Sequence, residues 1–114
     1  MTNPFYDPYQ ILVKVYGAGA HLKIALAETP LEELHRTRTV KTVYGVLEND
    51  SYLSLCLRSV APKSPKQTVR IVMKIALYWL IFLGKPKYMV TDTAVELLKK
   101  LGKGGAAGFA NAAL

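Results

Sequence analysis

A chain of 114 residues has material for one domain and not for two independent cores. With 51% hydrophobic and 20% charged residues it is too apolar and too sparsely charged to stay disordered. Its formal charge of +7, from 15 Lys and Arg against 8 Asp and Glu, favours a polyanionic partner such as RNA or an anionic membrane surface, although lysines that only keep a domain soluble give the same balance.

The opening Met1-Thr2-Asn3-Pro4 carries neither the positive leader nor the apolar run of a signal peptide. Phe5, Tyr6 and Tyr9 are placed either to staple the first helix to the domain or to offer a stacking surface. Asp7 before Pro8 marks a helix start, because a carboxylate caps orphan amides and proline tolerates the first turn. A first helix is expected over residues 8–26, with Ile11, Leu12, Val15, Leu22 and Leu26 at helical spacing; Gly17 and Gly19 mark a bend or a close helix crossing. Thr29-Pro30 repeats the start signal, with Glu32 and Glu33 where the helix dipole favours acids. This second helix continues through Leu34, Val40, Val43, Tyr44 and Leu47, unless the polar interval 35–39 breaks it.

Asn49-Asp50-Ser51 reads as a turn and cap opening a third helix over residues 52–60. Within it the lone Cys56, flanked by Leu55 and Leu57, has no internal disulfide partner and reads as a buried thiol in a reducing cytoplasm. Pro62-Lys63-Ser64-Pro65 is the clearest loop, and Ser64 with Gln67 resembles a capping box. Residues 69–83 are almost uniformly apolar, so this fourth helix has no polar face and should form the hub. Tyr78, Trp79 and Phe82 then belong to the core, while Arg70 and Lys74, four apart, form a solvent-facing or RNA-facing stripe. The apolar stretch 75–83 is far shorter than the ~20 residues of a membrane span. Gly84-Lys85-Pro86 ends the hub; a fifth amphipathic helix over 88–101 stops at Gly102, and 106–114 reads as a small-residue helix. The ending on Ala112-Ala113-Leu114, without cap or polar tail, leads us to expect that residues 1–114 are a single domain excised from the N-terminal part of a longer protein.

Chemistry-bearing patterns are weak. Gly102-Lys103-Gly104-Gly105 lacks the order of a phosphate loop, and no strand precedes it as dinucleotide binding requires. His21 and His35 have no partner at metal-ligand spacing, and the carboxylates fall at helix starts or on polar faces. No catalytic residue, metal site or cofactor site is expected. The basic residues form three groups: Arg36, Arg38 and Lys41; Lys63, Lys66, Arg70 and Lys74; and Lys85, Lys87, Lys99, Lys100 and Lys103. Where two groups converge they would track phosphates, with an affinity that falls as salt rises.

Four features occur in a telling order: Thr42-Val43-Tyr44-Gly45-Val46-Leu47, the apolar hub 70–83, Thr93-Ala94-Val95-Glu96-Leu97-Leu98-Lys99-Lys100-Leu101-Gly102, and a closing Phe109-x-Asn111-x-x-Leu114. Over residues 39–114, and more loosely over 15–26, this order resembles the NusB/RsmB-like helical domain. The resemblance implies an all-α, compact helical bundle around a central apolar helix, with Gly45, Phe109 and a buried Asn111 serving the fold. The family contains free-standing transcription antitermination factors and the N-terminal domains of ribosomal RNA 5-methylcytosine methyltransferases. Tyr44-Gly45-Val46-Leu47 and Lys103-Gly104-Gly105-Ala106-Ala107-Gly108-Phe109 are more similar to the second group, and the opening 2–10 lacks the arginine-rich stretch usual in the first. The resemblance therefore implies a non-catalytic RNA-binding accessory domain that positions a downstream methyltransferase domain on ribosomal RNA. The alternatives are an antitermination factor acting with a ribosomal protein and a protein-docking module. Charge and placement select Arg36, Arg38, Lys41, Lys99, Lys100 and Lys103 as the candidate RNA contacts.

Overall fold

The computed structural model describes residues 3–31, 33–61 and 65–114, and of Leu34 the backbone alone. Seven α-helices are present among the described residues: α1 (Tyr6–Ala18), α2 (Leu22–Glu28), α3 (Arg36–Glu48), α4 (Asp50–Val60), α5 (Gln67–Ile81), α6 (Lys87–Lys100) and α7 (Ala107–Ala113). Short 3-10 turns at Glu33–His35 and Gly104–Ala106 lead into α3 and α7, and no strand occurs among the described residues.

The hub is α5. Every residue from 71 to 79 is buried, and the helix packs against α1, α3, α4 and α6, so no side of it is left to water. Its Ile71, Val72, Met73, Ile75 and Ala76 meet Ile11 and Leu12 of α1, Val43 and Val46 of α3, Leu53 and Leu57 of α4, and Val90, Leu97 and Leu98 of α6 in one core. Each of the larger side chains contributes roughly 1.5–3 kcal/mol by leaving water. The α7 segment adds Ala110 and Leu114 to this core by packing on α6. The Cα radius of gyration, 13.1 Å, is that of a folded chain of this length.

The single long helix expected over 8–26 is two helices. Gly19 sits at φ +67, where α1 terminates and its neighbour Ala20 donates back to the Lys14 carbonyl. Only glycine adopts that conformation without strain, so the helix stops and α2 starts afresh. The helix also begins before Asp7: Phe5 is the N-cap residue, and the side chain of buried Asn3 accepts the Phe5 amide at 2.9 Å. The Asn3 amide reaches across to the Thr93 carbonyl (2.9 Å) and Glu96 Oε1 (3.0 Å), tying the N-terminal segment to α6. Phe5 itself is buried edge-on against Trp79, with ring centroids 5.0 Å apart, and is the staple. Tyr6 is exposed and Tyr9 half-buried against the core.

Thr29 does not open the next helix. Its hydroxyl donates to the Ala25 carbonyl at 2.7 Å and accepts Lys14 Nζ at 2.7 Å, so it closes α2 and holds it to α1. The expected second helix starts later than Thr29-Pro30: residues 29–31 are not helical, a 3-10 turn spans Glu33–His35, and α3 begins at Arg36 and runs unbroken through the polar residues 36–39. Ser64 of the expected capping box lies outside the described residues.

Contact between α3 and α5 is close at Gly45. A methyl group built there would lie 2.1–2.3 Å from Tyr78 ring atoms, so only hydrogen fits. One turn before, the Thr42 hydroxyl accepts the Trp79 indole N–H at 3.0 Å, giving a buried donor its partner. The expected roles of Gly45, Tyr78 and Trp79 in the fold therefore hold. Phe82, expected in the core, is 44% exposed beyond the end of α5, stacked on Tyr78 and edge-on to Tyr52. Asn111, expected to be buried, is exposed on α7, because it is Ala110 and Leu114 that turn toward α6, while Phe109 packs partly buried against the core.

Candidate nucleic-acid interface

The six expected RNA contacts sit in two places. Arg36 and Lys41 are exposed on α3, whereas Arg38 is half-buried, its guanidinium carbon 5.8 Å from the centre of the Trp79 ring. The Arg38 side chain thus covers the core tryptophan as well as carrying charge. Lys99 and Lys100 are exposed on the last turn of α6, and Lys103 follows in the loop, where its amide donates to the Leu98 carbonyl at 2.7 Å. That bond holds the Lys103 backbone beside the end of α6. Lys100 also approaches Glu96 at 4.0 Å, an exposed pair of little energetic consequence. Both α3 and α6 pack on α5, and the segment 3–5 links the two sites through Asn3 on α6 and Phe5 on Trp79. Lys99, Lys100 and Lys103 are near one another in the chain, and no hydrogen bond or ion pair joins them to the α3 group among the described residues.

A third arrangement was not legible in the sequence. A cavity of about 550 Å³ opens between α1, α4 and α5, with Arg58, Arg70 and Lys74 in its wall against a single carboxylate, Asp50. Lys74 does not face solvent as expected. It is buried, and its ammonium lies 2.7 Å from Asp50 and 4.8 Å from the centre of the Tyr16 ring. The reason is geometric: α5 is enclosed on every side, so a lysine in its middle needs a counter-ion within the core's edge. Asp50 supplies it from the first turn of α4 and also accepts the Tyr16 hydroxyl of α1. Asp50 is therefore a partner of two other helices and not a cap. The Asn49 side chain likewise turns back, donating to the Gly45 carbonyl at 2.8 Å at the end of α3.

These contacts set the ionisation of the group. Partial burial works against charge on Asp50, but hydrogen bonds from Lys74 and Tyr16, together with the charges of Lys74 and Arg70, outweigh it and hold its carboxyl below the ordinary aspartate value. Burial, followed by the bond to Asp50, pushes the Tyr16 phenol well above the ordinary tyrosine value. At neutral pH the central cluster is one carboxylate, one ammonium and one neutral phenol. With Arg58 and Arg70 included, the cavity wall holds three cations against one anion and is positive on balance.

Cys56, expected to be buried, is half-buried on α4, and no group of three or more metal-ligating side chains occurs among the described residues. His21 is exposed and His35 half-buried. No described helix is long and apolar enough to cross a membrane.

An all-helical bundle on an enclosed central helix, with exposed cations on α3 and α6, is the arrangement that the described residues present. The sequence profile of the NusB family matches residues 9–114, and the chain belongs to that family. Membership of this family supports an RNA-binding domain. No curated protein and no solved structure matches the chain. Of the charged cavity residues, Arg70 and Lys74 gave a signal in sequence as charges interrupting an apolar run and Asp50 gave one only as a cap, whereas Arg58, like Tyr16, gave none.

Proposed function

We propose that this domain binds ribosomal RNA through its basic helical surface and positions a methyltransferase domain of the same, longer polypeptide for 5-methylcytosine formation in the cytoplasm. Membership of the NusB family across residues 9–114 carries the RNA-binding part of this reading. The +7 charge supports it, because a polyanion is the partner that such a surface attracts at long range. Tyr44-Gly45-Val46-Leu47 and the stretch Lys103 to Phe109 support the accessory role, being more similar to the methyltransferase domains. The candidate contacts are Lys99, Lys100 and Lys103 at the end of α6 and Arg36, Arg38 and Lys41 on α3. Of these, the α6 lysines are the better placed, since Arg38 is committed to Trp79.

The test is binding of a fluorescent ribosomal RNA fragment across a salt series, with Lys99, Lys100 and Lys103 changed together to Ala. The wild-type affinity should fall as salt rises, and the triple variant should show a slope shallower by up to about 3, roughly one for each phosphate that a lysine no longer neutralises. Salt-insensitive binding, or none at low salt, would replace this reading with protein docking.

A further inference from the structure

We infer that the cavity between α1, α4 and α5 receives one nucleotide of a single-stranded RNA, a proposal that rests on the RNA-binding reading above. Its volume, about 550 Å³, suits a nucleotide and is far larger than a phosphate ion needs. The wall has two characters. Leu57, Ala61 and Pro65 offer an apolar surface against which a base can lie, while Ser54 and Tyr16 bring hydroxyls. Arg58, near the end of α4, and Arg70, in the first turn of α5, bring two guanidinium groups to a wall whose cations outnumber its carboxylate by three to one.

That division decides the roles. A phosphate is drawn to the two guanidinium groups, whose planar donors suit its oxygens better than an ammonium does; Arg70 also donates one Nη1 hydrogen to the Pro65 carbonyl at 3.5 Å. The Lys74–Asp50–Tyr16 cluster, contributed by three helices, is hydrogen-bonded within itself and makes up another part of the lining. A base seated in the cavity must be unpaired and unstacked from its neighbours, which points to a loop, bulge or end of the RNA and not to a duplex. The site is separate from the α6 lysines: its residues come from α1, α4, α5 and the connection between the last two.

The experiment measures a fluorescent single-stranded oligoribonucleotide against wild type, the Arg58→Ala/Arg70→Ala variant and Ala61→Phe, each checked for fold by thermal melting. Ala61 lies in the wall, so a phenyl ring there fills the cavity and leaves every charge in place. Both variants should bind about tenfold more weakly or worse, and the arginine variant alone should have a salt slope shallower by about 2. A titration with uridine 5′-monophosphate, followed by amide chemical shifts, should move Ser54, Leu57, Ala61 and Arg70 in wild type, whereas inorganic phosphate should move Arg58 and Arg70 without the apolar wall. If RNA binds but Ala61→Phe binds as wild type does, the cavity is unoccupied and the inference fails while RNA binding stands. If only the Lys99, Lys100 and Lys103 variant weakens binding, the same conclusion follows. Absence of RNA binding by wild type overturns both. An acidic peptide that displaces the monophosphate from the cavity more strongly than RNA does would assign the site to a protein partner instead.

Discussion

Asp50 and Lys74 show how unequal the two halves of an ion pair are. The Lys74 side chain is 7% exposed and that of Asp50 is 39% exposed. Removing the carboxylate by Asp50→Asn strands an ammonium in the core, with a cost of about 3 kcal/mol, at the low end for an uncompensated buried charge. Lys74→Met leaves a carboxylate that water already reaches and should cost only about 1 kcal/mol. Urea denaturation of the two variants at neutral pH decides the point; equal losses would mean that Lys74 finds another acceptor. The same cluster sets the pH range of stability. Asp50 ionises more readily in the folded chain, so its contribution is present above its unfolded value, near pH 4, and is lost as pH falls through its lower folded value. Tyr16 behaves oppositely: its folded value is raised, so its contribution is intact below pH ~10 and declines at higher alkalinity. Urea midpoints measured from acid to alkali should form a plateau falling at both ends, with the acid limb flattened in Asp50→Asn and the alkaline limb in Tyr16→Phe.

At the scale of elements, one crossing and one break govern the layout. The α3–α5 crossing depends on Gly45, since a methyl group there overlaps the Tyr78 ring. Gly45→Ala should therefore destabilise by about 3 kcal/mol, the upper part of the range for overpacked cores. Adding Tyr78→Ala should recover part of that loss, because the cavity it leaves accepts the new methyl; a double-mutant cycle that shows simple additivity would refute the steric account. Periodicity locates the hub, α6 and the small-residue α7 within a few residues, because amphipathic spacing and glycine stops are local signals. It runs α1 and α2 together, because apolar spacing continues across Gly19 and only the backbone conformation there interrupts it. It misplaces Thr29 because a threonine before a proline looks like a start whichever helix its hydroxyl serves. The role of Asp50 escapes it for the same reason: an acid after Asn49 suits a helix start, and nothing local reveals Lys74 or Tyr16 across the cavity.

For the whole molecule, a charge of +7 on 114 residues has two effects of opposite sign with salt. Screening relieves self-repulsion, so the melting temperature should rise by a few degrees between about 10 mM and 150 mM salt. RNA affinity over the same range should fall. A melting temperature that declines with added salt would show that attractive pairs, such as Lys74 with Asp50, outweigh the repulsion. The order of apolar residues along the chain makes the all-helical class and the enclosed central helix readable, and the motifs at 42–47, 93–102 and 109–114 carry the resemblance to the NusB family. The sequence also supplied the excess positive charge, but not its distribution. Packing between the helices sets which lysine is buried against a carboxylate 24 residues away and where a cavity opens. Those outcomes depend on distances between helices remote in sequence, which packing sets and local spacing does not encode.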